Sequence, residues 1–489
     1  MAGRMVKTRM RDLVIVLPGI TGSVLAHQDD KGDPKKPPVD IWAPSGQALW
    51  QALKSLGDSV QRLEVPTHDP RKSPPKTDFI ATRIVKSFHG VFGLGKIDGY
   101  TALTNLITDQ FLVTPGRMDG DVPANFFEFP YDWRLSNRHS ATQLRDFIKS
   151  CLSRWRTASD GAPDAKCILI AHSMGGLVSR YYLEVLDGWR DCRALLTFGT
   201  PYRGAVNAIS FIANGYKESF LDLTTVLRSC PSVYELLPIY RAVQENGTWR
   251  RTSEGTLPNA VTDYVAAAAE FHREIKRAVE AHLKDPEYLE HRYRIFPFVG
   301  VAQPTLQSAT FDGNSLRASI DLPDGIDEVL EGGDGTVPRI SATPIELSDD
   351  QRETFFGERH ASLQNNRYAL DDMRERIKQL QSKGLGNIHA TWKAGKPPVI
   401  SLGLDDLYLR EEPVVFHASV IGGSVPGLIA RIESATTQTT EQSFVATDSG
   451  WSLQLEGLSA GLYRVRVSSA TGGETQPTPV QDVFEIAGA

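Results

Sequence analysis

The sequence has few cysteines, 4 in 489 residues, and they do not follow the spacing of a metal-binding motif. Cys167 lies in an apolar run and Cys151 on the apolar face of a predicted helix, so we expect both to be buried thiols. A chain without a disulfide framework is typical of a reducing compartment. The sequence also has no cofactor-binding motif, and we expect neither a cofactor nor a metal.

A long hydrophobic run is also missing, since no stretch approaches the roughly 18 apolar residues that a membrane-spanning helix needs. Basic residues such as Arg4 and Lys7 precede a short apolar run at 13–17, a weak likeness to a signal peptide. We interpret this run as a core strand, because its removal would destroy the fold. The expected location is therefore cytoplasmic.

The charge is not strongly of one sign: the formal net charge is −6, which gives no support for a nucleic-acid partner. A hydrophobic fraction of 41% is ample for a buried core. With 489 residues, the chain is too long for one ordinary domain. These properties predict a globular protein of more than one domain.

The most informative segment surrounds Ser173. An apolar run at 167–171 predicts a buried strand, a small-residue turn follows, and apolar residues then recur with helical spacing. This is the layout of a nucleophile elbow, where a serine on a sharp strand-to-helix turn exposes its hydroxyl. Ala171 and Gly175 leave room for the strained backbone that such a turn needs. The alternative is a chance pattern, but the flanking strand and helix favour a catalytic serine.

A serine nucleophile needs a base and an acid, which follow it in the order acid, then histidine, in α/β-hydrolases. Of the acidic candidates Asp324, Asp327 and Asp334, only Asp334 stands between glycines, in the segment 331–338. We predict that Asp334 is the acid. The alternative is a solvated turn aspartate.

The base is predicted to be His360, which precedes a strongly amphipathic helix pattern. His139 comes before the serine, His172 lies inside the elbow, and His389 falls in a predicted linker. A lone histidine is more often structural than catalytic, but position and chain order favour His360.

The oxyanion hole is predicted to use the backbone N–H groups of Ile20 and Met174. Met174 directly follows the serine, and Ile20 lies in the turn after the strand at 13–17. Gly19 would let the backbone approach the substrate closely. Each donor is worth about 3 kcal/mol in the transition state. The alternative for the Pro18–Gly19 pair is an ordinary turn.

Asp132 and Arg134 could be mistaken for catalytic residues. They lie two positions apart after an aromatic-rich strand pattern, so they can pair and hold a loop. We therefore interpret them as structural.

Several motifs, in this order, resemble the lecithin:cholesterol acyltransferase family, which includes lysosomal phospholipase A2-type enzymes and bacterial relatives. They are LPGITGS (17–23), PYDWR (130–134), AHSMGG (171–176), GTP (199–201), PSVYELLP (231–238), GDGTVP (333–338) and His360. The resemblance covers roughly residues 11 to 385. It implies an α/β-hydrolase fold with a cap and an acyl-enzyme mechanism on lipid esters. By motif match, Ser173 is the nucleophile, Asp334 the acid, His360 the base, and Ile20 and Met174 the oxyanion donors.

The predicted fold class is α/β, with an α/β-hydrolase domain at 1–385 and a C-terminal all-β, immunoglobulin-like sandwich at 399–489. Within the first domain we expect a lid-like insertion at about 26–100 and a helical cap at about 203–285. A surface excursion and ordinary core packing, respectively, are the alternatives. Residues 386–398 are predicted to be a linker. Period-two alternation supports the sandwich, and the segment before Tyr463 resembles a tyrosine corner.

The leading hypothesis is a serine-dependent lipid ester hydrolase or acyltransferase of the phospholipase A or O-acyltransferase type. Its expected partners are a lipid or other acyl-ester substrate, a membrane surface in transient contact, and a protein at the C-terminal domain. One alternative is a carboxylesterase or thioesterase acting on small acyl substrates. Another is a catalytically idle scaffold that binds a partner through the sandwich.

Overall fold

The computed structural model describes most of the chain in thirteen segments. They are residues 7–27, 38–42, 61–86, 99–218, 221–313, 315–347, 354–382, 398–405, 407–410, 412–434, 439–448, 450–470 and 476–486. Apart from residue 398, the predicted linker at 386–398 lies outside the described residues. So do much of the lid-like insertion predicted at about 26–100 and His389.

A parallel sheet forms the centre of the larger part of the chain. Its strands are β1 (Leu13–Leu17), β2 (Phe126–Glu128), β3 (Cys167–His172), β4 (Cys192–Phe198), β5 (Arg294–Gly300) and β6 (Thr354–Phe356). They lie in the order β6-β5-β4-β3-β1-β2, and every neighbouring pair is parallel. The predicted α/β class is confirmed, and the sheet is consistent with an α/β-hydrolase.

Helices cover both faces of this sheet. They are α1 (Thr101–Gln110), α2 (Asn137–Thr157), α3 (Gly175–Arg180), α4 (Val206–Asn214), α5 (Thr224–Ser229), α6 (Pro231–Tyr234), α7 (Thr262–His282), α8 (Pro286–His291) and α9 (Arg367–Gln381). Strand side chains alternate between two cores: Leu13 and Ile15 pack with α2 to α8, whereas Val14 and Val16 pack with α1 and α9. Burial on both faces explains why β1 and β3 are continuous apolar runs.

Helices α4 to α7 fall in the segment 203–285 that the sequence assigns to a cap. Their apolar side chains join the same buried cluster as those of α2 and α3. The helical character of this segment is as expected. Its role as a cap over the site stays a prediction.

Short strands form smaller sheets around the central one. Ser23–His27, which leads into the predicted lid-like insertion, lies between Val39–Trp42 and Phe79–Ile84 of that insertion in an antiparallel sheet. Further short strands are Thr8–Arg9, Phe111–Leu112, Lys217–Glu218, Leu221–Asp222, Val243–Glu245, Thr248–Arg250, Ser308–Phe311 and Leu316–Ser319. The described part of the insertion is therefore partly held in a sheet. Its function as a lid stays a prediction.

The C-terminal part consists of two β-sheets. Its strands are β7 (Val399–Gly403), β8 (Leu407–Tyr408), β9 (Val414–Ile421), β10 (Leu428–Ser434), β11 (Thr440–Ser443), β12 (Val445–Thr447), β13 (Gly450–Leu455), β14 (Gly461–Ser469) and β15 (Val480–Ile486). One sheet has the order β7-β9-β13-β12 and the other β8-β15-β14-β10-β11.

Side chains from both C-terminal sheets share one buried cluster, with Phe416 from the first sheet and Val465 and Phe484 from the second. The Tyr463 hydroxyl donates to the Ser459 carbonyl at 2.8 Å, the backward hydrogen bond of a tyrosine corner. The predicted all-β character is confirmed. Assignment to the immunoglobulin-like class stays a prediction.

Within the segments described above, no helix combines the length and the apolar character needed to cross a membrane. The four cysteines are free and buried, as expected for Cys151 and Cys167.

Candidate active site

Ser173 occupies the sharp turn between β3 and α3. Its backbone has φ +51°, a left-handed conformation that costs a non-glycine residue energy and is concentrated at functional sites. The turn is held from the neighbouring strand, because the Ser173 N–H donates to the Phe198 carbonyl at 2.8 Å. The Thr200 hydroxyl donates to the Ser173 carbonyl at 2.9 Å. The strained strand-to-helix turn predicted from the sequence is therefore present.

The structure brings His360 to this serine. His360 Nε2 lies 2.9 Å from Ser173 Oγ, and its Nδ1 lies 2.7 Å from Asp334 Oδ2. Because a carboxylate only accepts, Nδ1 donates to Asp334, which leaves Nε2 to accept from the serine hydroxyl. Ser173, His360 and Asp334 are 6%, 7% and 1% exposed, so water has little access to their hydrogen bonds.

Asp334 is oriented by its own loop. Its Oδ1 accepts from the N–H groups of Thr336 at 2.9 Å and Val337 at 2.7 Å. This leaves Oδ2 to face the imidazole. The His360 N–H also donates to the Asp334 carbonyl at 2.7 Å, so backbone and side chain both tie the two loops together. Asp327, a sequence alternative, instead caps a short helix by accepting from Val329 N–H.

The loops that carry Ser173, His360 and Asp334 must pack closely for the three side chains to meet. A Cβ atom added at Gly199, which has φ +57°, would lie 2.7 Å from Asp334 Oδ2 and 2.8 Å from His360 Nδ1. A side chain at this position would therefore displace Asp334 and His360. This close approach explains the glycine that ends β4.

His172 supports the site through contacts with the His360 backbone and with Tyr100. Its Nε2 lies 3.1 Å from the His360 carbonyl, which only accepts, so Nε2 carries the proton. Burial, aided by the neighbouring His360, holds the pKa of His172 well below its usual value, and the ring is neutral. Its Nδ1 therefore accepts from the Tyr100 hydroxyl at 3.0 Å. Tyr100 in turn accepts from Gly19 N–H at 2.8 Å, which links the predicted oxyanion turn to the His360 backbone.

The turn that carries Ile20 lies directly beside the serine. A Cβ atom added at Gly19 would lie 2.8 Å from Ser173 Cβ and 3.1 Å from His172 Nδ1. Gly19 N–H is bonded to Tyr100, whereas the N–H groups of Ile20 and Met174 make no bond to another described residue. The structure thus places both predicted donors on turns that meet at Ser173.

The other residues that the sequence raised lie apart from this hydrogen-bonded chain. His139 is in the first turn of α2. Arg134 is fully buried and forms a two-point ion pair with Asp132, at 2.9 and 2.7 Å, while its third nitrogen donates to the Leu63 carbonyl. Their predicted structural pairing is confirmed.

Sequence reasoning missed the residues that support His360 from outside the motifs. Tyr100 and Gln303 contact loops of the site from distant segments, whereas Glu358 and Arg359 lie in the His360 loop and bind the C-terminal sheets. Only Glu358 and Arg359 lie next to a residue that a motif singled out. Among the described residues, no cluster of His, Cys, Asp and Glu has the arrangement of a metal site.

The resemblance to the lecithin:cholesterol acyltransferase family is confirmed. The family model described as Lecithin:cholesterol acyltransferase matches residues 50–285. Lecithin-cholesterol acyltransferase-like 4 of Arabidopsis thaliana is 23% identical over 248 residues, which is 46% of this chain and 42% of that protein. The human lysosomal phospholipase A and acyltransferase is 28% identical over 131 residues, 24% of this chain and 28% of that protein. The chain thus spans less than half the length of either relative.

Two solved structures also show similarity. The crystal structure of a Tle4-Tli4 complex has a TM-score of 0.46 and 16% identity, covering 77% of this chain and 98% of that chain. The mature form of the Bacillus licheniformis lipase BlEst2 has a TM-score of 0.26 and 13% identity, covering 50% of this chain and 74% of that chain.

Proposed function

From its similarity to the lecithin:cholesterol acyltransferase family, we propose that the chain is a serine-dependent lipid ester hydrolase or acyltransferase. The observation that carries the proposal is the unbroken chain of hydrogen bonds from Ser173 through His360 to Asp334. A serine hydroxyl needs an adjacent base, and the base needs a third group that orients it. A cytoplasmic location and an immunoglobulin-like C-terminal domain belong to the same proposal.

In the first half-reaction, Ser173 Oγ attacks the carbonyl carbon of the ester. His360 Nε2 takes the hydroxyl proton, and Asp334 stabilises the imidazolium that forms. The tetrahedral intermediate then collapses, the C–O bond to the alcohol breaks, and His360 returns its proton to the leaving alkoxide. The acyl group remains on Ser173.

In the second half-reaction, water or an alcohol attacks the acyl-enzyme. His360 takes the proton of this acceptor and gives it to Ser173 Oγ as the acyl–serine bond breaks. Water yields a free acid, and an alcohol yields a new ester. Hydrolysis and acyl transfer therefore need the same residues of this chain, and the acceptor decides between them.

We assign the oxyanion of both intermediates to the N–H groups of Ile20 and Met174. Support comes from the position of the Ile20 turn against Ser173 and from the Tyr100 bond to Gly19, which fixes that turn. Donors that are already in place need no reorganisation when charge develops. Each contributes on the order of 3 kcal/mol to the transition state.

The proposal is tested with vesicles of phosphatidylethanolamine and phosphatidylglycerol, incubated with wild type and with Ser173→Ala. We expect lysophospholipid and free fatty acid, or a newly acylated alcohol, from wild type only. Turnover should fall about a millionfold in the variant, because the covalent intermediate cannot form. Mass spectrometry of the lipids distinguishes water from alcohol as acceptor.

Equal lipid cleavage by wild type and Ser173→Ala would contradict the proposal. Unchanged lipids, combined with serine-dependent cleavage of short p-nitrophenyl esters, would instead favour an esterase acting on small substrates. Folding of the variant is checked by thermal unfolding, which a serine-to-alanine change in this turn should leave intact.

A further inference from the structure

The C-terminal sheets contact the two residues that directly precede His360. The Arg359 guanidinium pairs with Asp482 of β15 at 2.8 Å and donates to the Leu402 carbonyl of β7 at 2.6 Å. Asp482 is only 1% exposed, so its partner neutralises a charge that is almost fully buried. One side chain therefore joins the His360 loop to both C-terminal sheets.

Glu358 makes a second connection. It is fully buried, and its Oε1 accepts from the backbone N–H of Gln481 at 2.8 Å, across 123 positions of the chain. Its Oε2 accepts from the Asn366 side chain at 2.9 Å, and Asn366 caps α9. Glu358 thus fixes the His360 loop between β15 on one side and the start of α9 on the other.

The acid loop is attached to the same sheets through Gln303. The Gln303 side chain donates to the Ile400 carbonyl and accepts from Leu402 N–H, both at 3.0 Å, so it pairs with β7 as a neighbouring strand would. Its backbone N–H donates to the Gly333 carbonyl at 3.0 Å, directly before Asp334. The C-terminal sheets therefore contact the supports of both the base and the acid.

We propose that the C-terminal sheets position His360 for catalysis, with Glu358, Arg359 and Gln303 as positioning residues. The inference rests on the proposed function, because it concerns the base of that reaction. The hydrogen bonds and ion pair of these side chains go to residues other than Ser173, so they act through the loops that carry His360 and Asp334. An imidazole displaced by about 1 Å costs on the order of 100-fold in rate even when the displacing change is remote.

The test is a double-mutant cycle in the full chain with Arg359→Ala, Asp482→Ala and the double variant. The substrate is a water-soluble p-nitrophenyl ester, and active sites are counted with a fluorophosphonate. We expect each single variant to lower kcat about 10- to 100-fold, with KM within about 2-fold of wild type. The double variant should lose no more than Arg359→Ala alone, because that variant has already lost the pair with Asp482.

A matched control is Arg431→Ala, which breaks an exposed ion pair with Glu433 in the same sheet as Asp482. We expect wild-type kcat from this variant. Asp482→Asn removes the charge but keeps the shape of the side chain. If Asp482→Ala does not fold, Asp482→Asn replaces it in the test. We expect its kcat to lie between that of wild type and that of Arg359→Ala.

Wild-type kcat in folded Arg359→Ala and Asp482→Asn would overturn the inference, as would fully additive losses in the double variant. A change in thermal stability alone, with kcat intact, would show a structural role only. If wild-type protein cleaves no ester and its Ser173 does not react with the fluorophosphonate, the proposed function fails and the positioning role fails with it. If wild type has serine-dependent activity and the variants of the cycle keep wild-type kcat, the positioning role alone is overturned.

Discussion

Ser173 and His360 meet through side-chain atoms 2.9 Å apart, yet they are held by different kinds of structure. Ser173 lies between a strand and a helix that are adjacent in sequence, and its backbone is held by β4 and by Thr200, which follows that strand. His360 lies in an irregular segment between β6 and α9. Asp334, His172 and the supports of the C-terminal sheets all contact its loop from distant parts of the chain.

Because of this difference, substitutions near Ser173 and substitutions near His360 should impair activity for different physical reasons. The nucleophile side consists of the turn that carries Ser173, the proposed nucleophile, and the turn that carries Gly19 and Ile20. It depends on steric fit, because a Cβ atom added at Gly19 would lie 2.8 Å from Ser173 Cβ.

The base side, which is the loop that carries His360 and the loop that carries Asp334, has a close approach at Gly199 and depends otherwise on a small set of polar contacts over long sequence distances. Substitutions other than those at Tyr100 and His172, which link the two sides, should therefore act mainly on one side. The loss of kcat then measures how strictly that side is held.

Among the substitutions that test this comparison, the largest effect is expected at the base side, from Asp334→Asn. The Asn oxygen can still accept from Thr336 and Val337, so its NH₂ group would face His360 Nδ1. The imidazole must then accept at Nδ1 and carry its proton at Nε2, the wrong tautomer for deprotonating serine. We expect kcat to fall about 10⁴-fold.

The measurement is ester hydrolysis with active-site counting. Asp327→Asn is the matched control, because this aspartate caps a short helix away from the site and should leave kcat unchanged. A loss of less than about 10-fold in Asp334→Asn would mean that another group orients His360.

The nucleophile side is tested by Gly19→Ala. The added Cβ would lie 2.8 Å from Ser173 Cβ, which is too close, so the turn with Ile20 must move away from the serine. We expect kcat to fall about 10²- to 10³-fold, the usual cost of losing an oxyanion donor. Stopped-flow measurement of the acylation burst would show whether the loss lies in the first half-reaction.

Gly427→Ala serves as the control for a glycine-to-alanine change, since its added Cβ has Ala470 Cβ as nearest atom, at 3.3 Å. Normal burst kinetics in Gly19→Ala would show that the turn tolerates movement. The nucleophile side would then be less strictly packed than the comparison requires.

The same contrast explains which parts of the molecule were predictable. The elbow is readable because strand, turn and helix follow one another within residues 167–185, and β1 is a plain apolar run. Chain order, the glycines on both sides of Asp334 and the position of His360 before a helix pattern identified the pair that meets Ser173. The class of the C-terminal strands followed from their period-two alternation.

The residues that support His360 from distant segments are not marked by any local sequence pattern. Tyr100 reaches Gly19 across 81 positions, and Gln303 reaches β7 across 97 and 99 positions. Each is a single polar side chain in an unremarkable segment. Its partners in these bonds are backbone N–H and C=O groups, which nearly every residue possesses. A local pattern cannot encode such a contact. The sequence therefore predicted the all-β character of the C-terminal part but not its attachment to the His360 loop.

The smallest expected effect is a pH-dependent change in the free energy of unfolding, caused by Glu358 at its contact with the C-terminal sheets. Burial raises the pKa of Glu358 to about 7, and the negative charge of Asp482 acts in the same direction. Its ordinary value is 4.5, so the folded state holds this proton more tightly than the unfolded chain. The resulting stabilisation is fully present below about pH 4.5 and is lost as the pH rises to about 7.

Glu358→Gln removes this titration, so wild type should lose stability relative to the variant between pH 5 and 8. The expected change is on the order of 1–3 kcal/mol, measured by urea unfolding at both pH values. Glu235, whose pKa burial also raises to about 7, is present in both proteins, so the difference between them isolates Glu358. A difference that does not vary with pH would mean that Glu358 stays charged at the junction. The base loop would then be held by a permanent carboxylate rather than by a group that gains a proton as the solution becomes acidic.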